Sequence, residues 1–205
     1  MRQNRCRNAF TLIELLTVIA IIGVLAALLF PAVKSSMLKA ETTKAQTAMS
    51  GLSHAFRSYY TEYGKWPVSD SVNNINYFVD GNLVALLSGQ DITVAPTKDT
   101  GGTSGKLEGN PRKIVFLEFK QADLGTITTC QGCFMDPWKQ PYHYRLDVLY
   151  ANSIPNPFDS SRPAITNGFL VWSAGPDGQQ DPNCGDPPGP YNTTPCVNKD
   201  NVKSW

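Results

Sequence analysis

Phe10-Thr11-Leu12-Ile13-Glu14-Leu15-Leu16-Thr17-Val18-Ile19-Ala20 opens an apolar run that continues unbroken to Phe30 and meets Pro31. Glu14 is the only charge in residues 10–30. At about 1.5 Å per residue a helix of this length covers roughly 32 Å, enough to cross a hydrocarbon core of about 30 Å. Arg2, Arg5 and Arg7 precede the run, and no acidic residue does. The positive-inside bias places the N-terminus in the cytoplasm and the bulk of the chain outside.

Three plainer readings compete. An ordinary secretory signal has a shorter apolar core and a small-residue cleavage site, whereas this run is long and continues as Pro31-Ala32-Val33-Lys34-Ser35-Ser36-Met37, a helix-like sequence. A simple anchor has no use for Glu14. A snorkelling Glu14 would carry no meaning, but a carboxylate in an apolar helix costs up to about 2.5–3.5 kcal/mol when central and normally answers to a partner.

The segment Arg7-Asn8-Ala9-Phe10-Thr11-Leu12-Ile13-Glu14-Leu15-Leu16, followed by Gly23 to Val33, resembles the N-terminus of the type IV pilin and pseudopilin superfamily. The resemblance implies a prepilin peptidase that cuts between Ala9 and Phe10 and methylates the new amine of Phe10. The family usually carries glycine where this chain has Ala9. It also implies that Glu14 pairs with the Phe10 amine of a neighbouring subunit. An ammonium and a carboxylate attract strongly in low dielectric, and the pair would fix register between stacked helices.

The chain is long enough for this helix and one globular domain. Its formal charge of +1 becomes −2 once the three leader arginines are removed. No basic run remains, so nucleic acid is not an expected partner. Cys6 lies in the leader. Cys130, Cys133, Cys184 and Cys196 remain on the oxidising side of the membrane and allow three pairings. The favoured one joins Cys184 to Cys196 across a Pro-, Gly- and Asn-rich loop, worth about 3 kcal/mol by chain entropy. Cys130 and Cys133 then close a small loop, with a zinc site or a redox dithiol as alternatives.

Beyond Pro31, where a kink is expected, Val33, Met37, Ala45, Ala48, Leu52, Phe56, Tyr59 and Tyr63 recur mostly at three- and four-residue gaps. We therefore expect one helix from Phe10 to about Tyr63, stopped by Gly64 and Pro67. Its first half (10–30) belongs in the membrane or fibre core after a 1–9 leader, and its amphipathic second half (31–63) packs on a sheet. A 64–205 head follows. It comprises a variable connection (68–112), a sheet region (113–173) and a C-terminal loop (174–205). A short helix is expected around Leu83–Leu87, with Gly81 as a break. Thr100–Lys106 has the wrong spacing for a phosphate loop and reads as a surface loop. Strands are expected at Ile114–Phe119, Tyr142–Val148 (alternating) and Gly168–Ser173. The expected class is α+β, a long helix on a small antiparallel sheet.

The C-terminal half narrows the resemblance. Asp136-Pro137-Trp138-Lys139-Gln140-Pro141-Tyr142-His143-Tyr144 looks like the Asp-Pro-Trp-Gly-x-Pro-Tyr-x-Tyr signature of the major pseudopilin of type II secretion, with Lys139 in place of glycine. Ser173-Ala174-Gly175-Pro176-Asp177-Gly178 and Asp200-Asn201-Val202-Lys203-Ser204-Trp205 resemble two further segments of that family. Those segments imply a calcium site, with Asp177 and Asp200 as ligands and Asp181 and Asp186 as further candidates. Calcium takes six to eight hard oxygens and tolerates irregular loops. Pro176-Asp177-Gly178 is equally suited to a plain turn.

No catalytic constellation emerges. His54 on the helix and His143 in a strand have no nucleophile at motif spacing, and a surface or core-edge place is the default for both. Asn192-Thr193-Thr194 is a glycosylation triplet that implies only an exposed loop. The resemblance implies a structural subunit, a homopolymer through its N-terminal helices, in a type II secretion pseudopilus at the inner membrane. Its head would lie in the periplasm, and its partners would be prepilin peptidase, an assembly platform and minor pseudopilins. The rivals are a surface type IV pilin and a membrane-anchored binding module using residues 68–112 with Trp66, Tyr77 and Trp138.

Overall fold

The computed structural model describes residues 12–73, 75–128, 130–158, 162–180 and 201–205, excepting the side chains of residues 31, 32, 126 and 127. The chain divides into two compact units, Met1–Ala40 and Glu41–Trp205. Helix α1 (Leu12–Tyr63) begins in the first and ends in the second. Its helical assignment runs through Pro31 without interruption.

In the first unit the α1 side chains from Leu12 to Phe30 are exposed on every face. A helix apolar all round is suited to lipid or to other helices, not to water. Val33 and Met37, expected on the packed stripe, are exposed as well. The stripe that is buried starts at Ala45 and continues through Met49, Leu52, Phe56 and Tyr59. Those gaps of three and four residues keep one face turned to the core. The helix stops where Gly64 adopts φ 68° and donates its N–H to the Tyr60 carbonyl at 2.8 Å. This is the αL termination for which glycine is best suited.

The second unit places this stripe on a four-stranded antiparallel sheet. Its order is β2 (Tyr77–Phe78), β6 (His143–Leu146), β7 (Phe169–Ser173), β8 (Val202–Lys203). Phe56 joins helix to sheet, its ring 5.5 Å from Tyr144 and 5.8 Å from Phe169. Two small ribbons flank this layer. One pairs β1 (Val68–Ser69) with β3 (Lys106–Leu107). The other pairs β4 (Leu124–Ile127) with β5 (Cys130–Phe134). Between β2 and β3 lies α2 (Gly81–Leu87), capped by Asp80, whose Oδ1 accepts the Leu83 N–H at 2.9 Å. Such a cap is worth about 1 kcal/mol. Gly81 opens this helix instead of breaking it. A Cβ there would lie 2.7 Å from the Gln131 carbonyl, so glycine lets α2 sit close on β5.

The structure corrects two further expectations. Ile114–Phe119 forms no strand. The Phe116 and Leu117 N–H groups both donate to the Leu87 carbonyl, so they serve the end of α2 and not a ladder. The alternation at Tyr142–Val148 does not mark a wet face, because all four residues of β6 are buried. Tyr144 and Leu146 join the helix-facing core. His143 stacks on Trp172 at 5.5 Å, and Arg145 donates to Asn76 Oδ1 and to the Pro155 carbonyl. Thr100–Lys106 is a turn region that leads into β3, with Gly101 and Gly102 at positive φ.

Candidate functional site

Glu14 lies in the first turn of α1, on the exposed apolar segment. Thr17 Oγ1 donates to the Glu14 backbone carbonyl at 3.0 Å, so this hydroxyl needs no outside partner. The bond between Ala9 and Phe10 lies outside the described residues.

The C-terminal motif segments converge on β7. Asp136 is 2 % exposed. Its Oδ1 accepts the N–H groups of Trp138 at 2.9 Å and Gln140 at 2.8 Å, which closes the Asp-Pro-Trp turn. Its Oδ2 accepts the Ser173 hydroxyl at 2.6 Å. Ser173 Oγ in turn accepts the Gly175 N–H at 3.0 Å. One carboxylate thus ties the turn before β6 to the loop after β7. Burial pushes the Asp136 carboxyl above the usual carboxylate range, against the opposing pull of these hydrogen bonds. Lys139, where the resembling family has glycine, adopts φ 67°. The turn keeps the glycine conformation with a side chain in place, a left-handed geometry that costs about 1–2 kcal/mol.

Trp138 extends the same turn to the helix, where its Nε1 donates to Glu41 Oε2 at 2.9 Å. The last segment attaches from the other side. Val202 and Lys203 pair with Ser173 and Trp172, and the Val171 N–H donates to Ser204 Oγ at 3.0 Å. Trp205 stacks on Phe158 at 5.7 Å and meets Trp172 edge-on at 6.1 Å.

Of the carboxylates considered for calcium, only Asp177 is described. It is exposed, and its Oδ1 accepts the Gln179 N–H at 2.9 Å within a turn in which the Gly178 N–H reaches the Gly175 carbonyl. Its Oδ2 has no protein partner among the described residues, so Asp177 is free to offer one oxygen to a hard cation. Asp181, Asp186 and Asp200 lie outside the described residues, as do Cys184 and Cys196 and the Asn192 triplet. Among the described residues no group of three His, Cys, Asp or Glu side chains could hold a metal. Cys130 and Cys133 form a disulfide, with Cα atoms 5.9 Å apart, and both are buried.

His54 is exposed on α1, as expected. His143 is not at a core edge. It is 4 % exposed, and burial holds its pKa down to about 3. The aromatics considered as ligand contacts are structural. Tyr77 is buried and donates to Asp70 Oδ2, Trp66 is buried, and Trp138 is held by Glu41. Sequence reasoning marked the motif turn but missed the joint it makes with Ser173 and Glu41. The Asp-Pro-Trp pattern was the available sign; the partner of Asp136, 37 residues on, was not readable.

Known proteins share sequence with this chain. Residues 4–30 match the family model described as the prokaryotic N-terminal methylation motif. The chain is 32% identical over 109 residues to the type IV major pilin protein PilE1 of Neisseria gonorrhoeae, covering 52% of this chain and 61% of that protein. It is 33% identical over 107 residues to the fimbrial protein EcpC of Eikenella corrodens, covering 50% and 70%. It is 36% identical over 76 residues to the type IV major pilin protein PilA of Myxococcus xanthus, covering 37% and 34%. The chain thus spans 61% of the length of the first of these relatives. No solved structure matches. A long apolar N-terminal helix continuing into an α+β head defines a pilin-like subunit. The chain belongs to the type IV pilin and pseudopilin superfamily.

Proposed function

We propose that this chain is the fibre-forming subunit of a type II secretion pseudopilus, inserted by α1 in the inner membrane with its head in the periplasm. The observation that carries the reading is the Asp136–Ser173 joint, because it links two segments that separately resemble the major pseudopilin. Prepilin peptidase would cut after Ala9 and methylate Phe10. The assembly platform and minor pseudopilins would then pass the subunit into a helical fibre. The exposed apolar surface of Leu12–Phe30 supplies the burial on association, at about 25 cal/mol per Å². The Phe10 ammonium of one subunit against Glu14 of the next supplies register, since an unpaired carboxylate there would be penalised. No catalytic step is assigned to the chain; the work of assembly comes from elsewhere.

Calcium belongs to the same reading. The β7–β8 register sets Ser173 against Val202, which supports Asp177 and Asp200, close in sequence to one and the other, as partners in one site. Asp181 and Asp186 are the further candidates. The ion would staple the C-terminal loop to β7, a role the Cys184–Cys196 disulfide would share. A rise in melting temperature on adding calcium, lost in Asp177→Ala, is the expected result.

A surface type IV pilus is the second reading, favoured by relatives named as major pilins. Deletion of the gene separates the two. Loss of exoproteins from the medium with surface filaments intact supports the pseudopilus, and loss of surface filaments with secretion intact overturns it. The processing step is tested by the N-terminal mass after co-expression with a prepilin peptidase. A product beginning at methylated Phe10 is expected. An uncut chain would leave Phe10 without a free amine and remove the fibre reading.

A further inference from the structure

The end of α1 and the loop after β6 enclose a cleft of about 400 Å³ with an unusual wall. Two tyrosines stand in it with exposed rings, Tyr60 at 38 % and Tyr150 at 53 % exposure. Their centroids are 6.4 Å apart, and Tyr60 also lies 4.5 Å from Trp66. Single exposed aromatics are ordinary, but these two are neighbours and one is tethered. The Tyr150 hydroxyl accepts the Trp66 backbone N–H at 3.3 Å while the residue stays half exposed.

The loop that carries Tyr150 is strained and braced. Tyr150 and Asn152 adopt φ 56° and 51°, in the left-handed region. For a tyrosine this costs on the order of 1 kcal/mol or more, and it persists only where surroundings enforce it. The buried Asp147 does so. Its Oδ1 accepts from Asn73 Nδ2 and the Ala151 N–H, and its Oδ2 accepts the Asn152 N–H at 2.6 Å. A bulky side chain at Gly168, on the floor, is ruled out by Trp66, whose ring lies 2.3 Å from where a Cβ would sit. Strain of this kind, spent on presenting an aromatic face to solvent, points to recognition.

Unused donors surround the rings. Asn167 Oδ1 accepts the Gly168 N–H, and its Nδ2 has no protein partner among the described residues. The Asn152 amide and the Arg57 guanidinium, which lies over the Phe169 ring at 5.4 Å, make no side-chain hydrogen bond among the described residues. One cation and the Asp147 carboxylate leave the cleft with no net charge.

We propose that this cleft binds a pyranose unit of a neutral glycan. A sugar ring offers a C–H face to an aromatic and hydroxyls at its rim to amide and guanidinium donors, which is the combination present here. The proposal does not depend on the pseudopilus reading.

The test uses the full-length chain in dodecylphosphocholine micelles, a detergent without a sugar headgroup. Saturation-transfer NMR and calorimetry are run with cellopentaose, chitopentaose, xylopentaose and mannopentaose, and with oligomers of glucuronic and N-acetylneuraminic acid. The expected result is transfer to ring C–H protons of at least one neutral oligomer, with a Kd on the order of 1 mM or tighter. Tyr150→Ala or Tyr60→Ala should weaken it roughly tenfold, the upper value of an aromatic contact. Asn152→Gly, which tolerates the positive φ and leaves the fold intact, should weaken it several-fold. No binding by any neutral oligomer, binding confined to the acidic ones, or affinity unchanged in both Asn152→Gly and Tyr150→Ala would each overturn the proposal.

Discussion

Replacing Asp136 tests whether the joint at β7 holds the head together. In Asp136→Ala three donors lose their acceptor, namely the Trp138 and Gln140 N–H groups and the Ser173 hydroxyl. Asp136 and Ser173 are both buried, so water cannot readily replace the carboxylate. A buried donor left unsatisfied costs about 1–3 kcal/mol. The Ser173 hydroxyl can turn to a new acceptor, and the turn N–H groups lie near the surface, so we expect a total of about 3–5 kcal/mol. For a chain of this size that is roughly 6–20 °C in melting temperature. Asp136→Asn behaves differently. Its carbonyl oxygen keeps both turn N–H groups, its Nδ2 donates to Ser173 Oγ, and the charge that burial opposes is gone. It should lie within about 1 kcal/mol of the parent at pH 7. The pH dependence has a definite sign. The folded-state pKa of Asp136 is raised, so its contribution is fully present below the ordinary carboxylate pKa and is lost as pH rises through the folded value. Asp136→Asn should remove that slope. The assay is thermal unfolding of the micellar full-length chain, followed by near-ultraviolet circular dichroism, which reports Trp138 and Trp172. An Asp136→Ala protein within 1 kcal/mol of the parent would refute the argument that this carboxylate joins the two segments.

Three other sites in the head respond in defined directions. Lys139→Gly should stabilise the head by about 1 kcal/mol in chemical denaturation, because glycine relieves the left-handed strain at φ 67° at some entropic cost. His143, held down to about 3 by burial, contributes stability that is present above pH 6.5 and is lost as pH falls toward 3. Asp99, 3.8 Å away with its carboxyl pushed up by burial, acts in the opposite sense, so the His143 effect is the difference in acid titration between the parent and His143→Gln. The Tyr144 hydroxyl is buried without a hydrogen-bond partner among the described residues, so Tyr144→Phe should leave the melting temperature unchanged or raise it by an amount equivalent to about 1 kcal/mol or more; a clear loss would refute this.

Helix α1 was legible because two signals follow one another along it. An apolar run carries its first half, a three- and four-residue stripe from Ala45 carries its second, and Gly64 ends it. Strand β6 was legible as a period-two alternation and β7 as an apolar run. The edge strands β2 and β8 are two residues long, too short for any periodicity to mark them. Ile114–Phe119 has strand composition, but its N–H groups are claimed by the last carbonyl of α2, a tertiary event that local pattern does not carry. His143 and Arg145 looked like the polar half of an alternation because polarity hides a second buried layer built by Ile154, Phe158, Leu170 and Trp172, with Ile165 packed against it. The motif turn could be recognised, but the partners of Asp136 and Trp138 lie 37 and 97 positions away. The cleft at Tyr150 left no motif at all, since what defines it is a positive φ.

The short edge strands also protect against aggregation. A subunit concentrated in a filament is exposed to a competing mode of association, in which sheets join edge to edge into an insoluble cross-β stack. Here one margin of the sheet is two residues that are already engaged, with the Phe78 N–H bonded to the Thr97 carbonyl and Tyr77 bridged to Lys98. The other margin is two residues long and includes Lys203. Neither offers a run of free backbone long enough to template a neighbour, so heads brought to high local density would resist joining through their sheets.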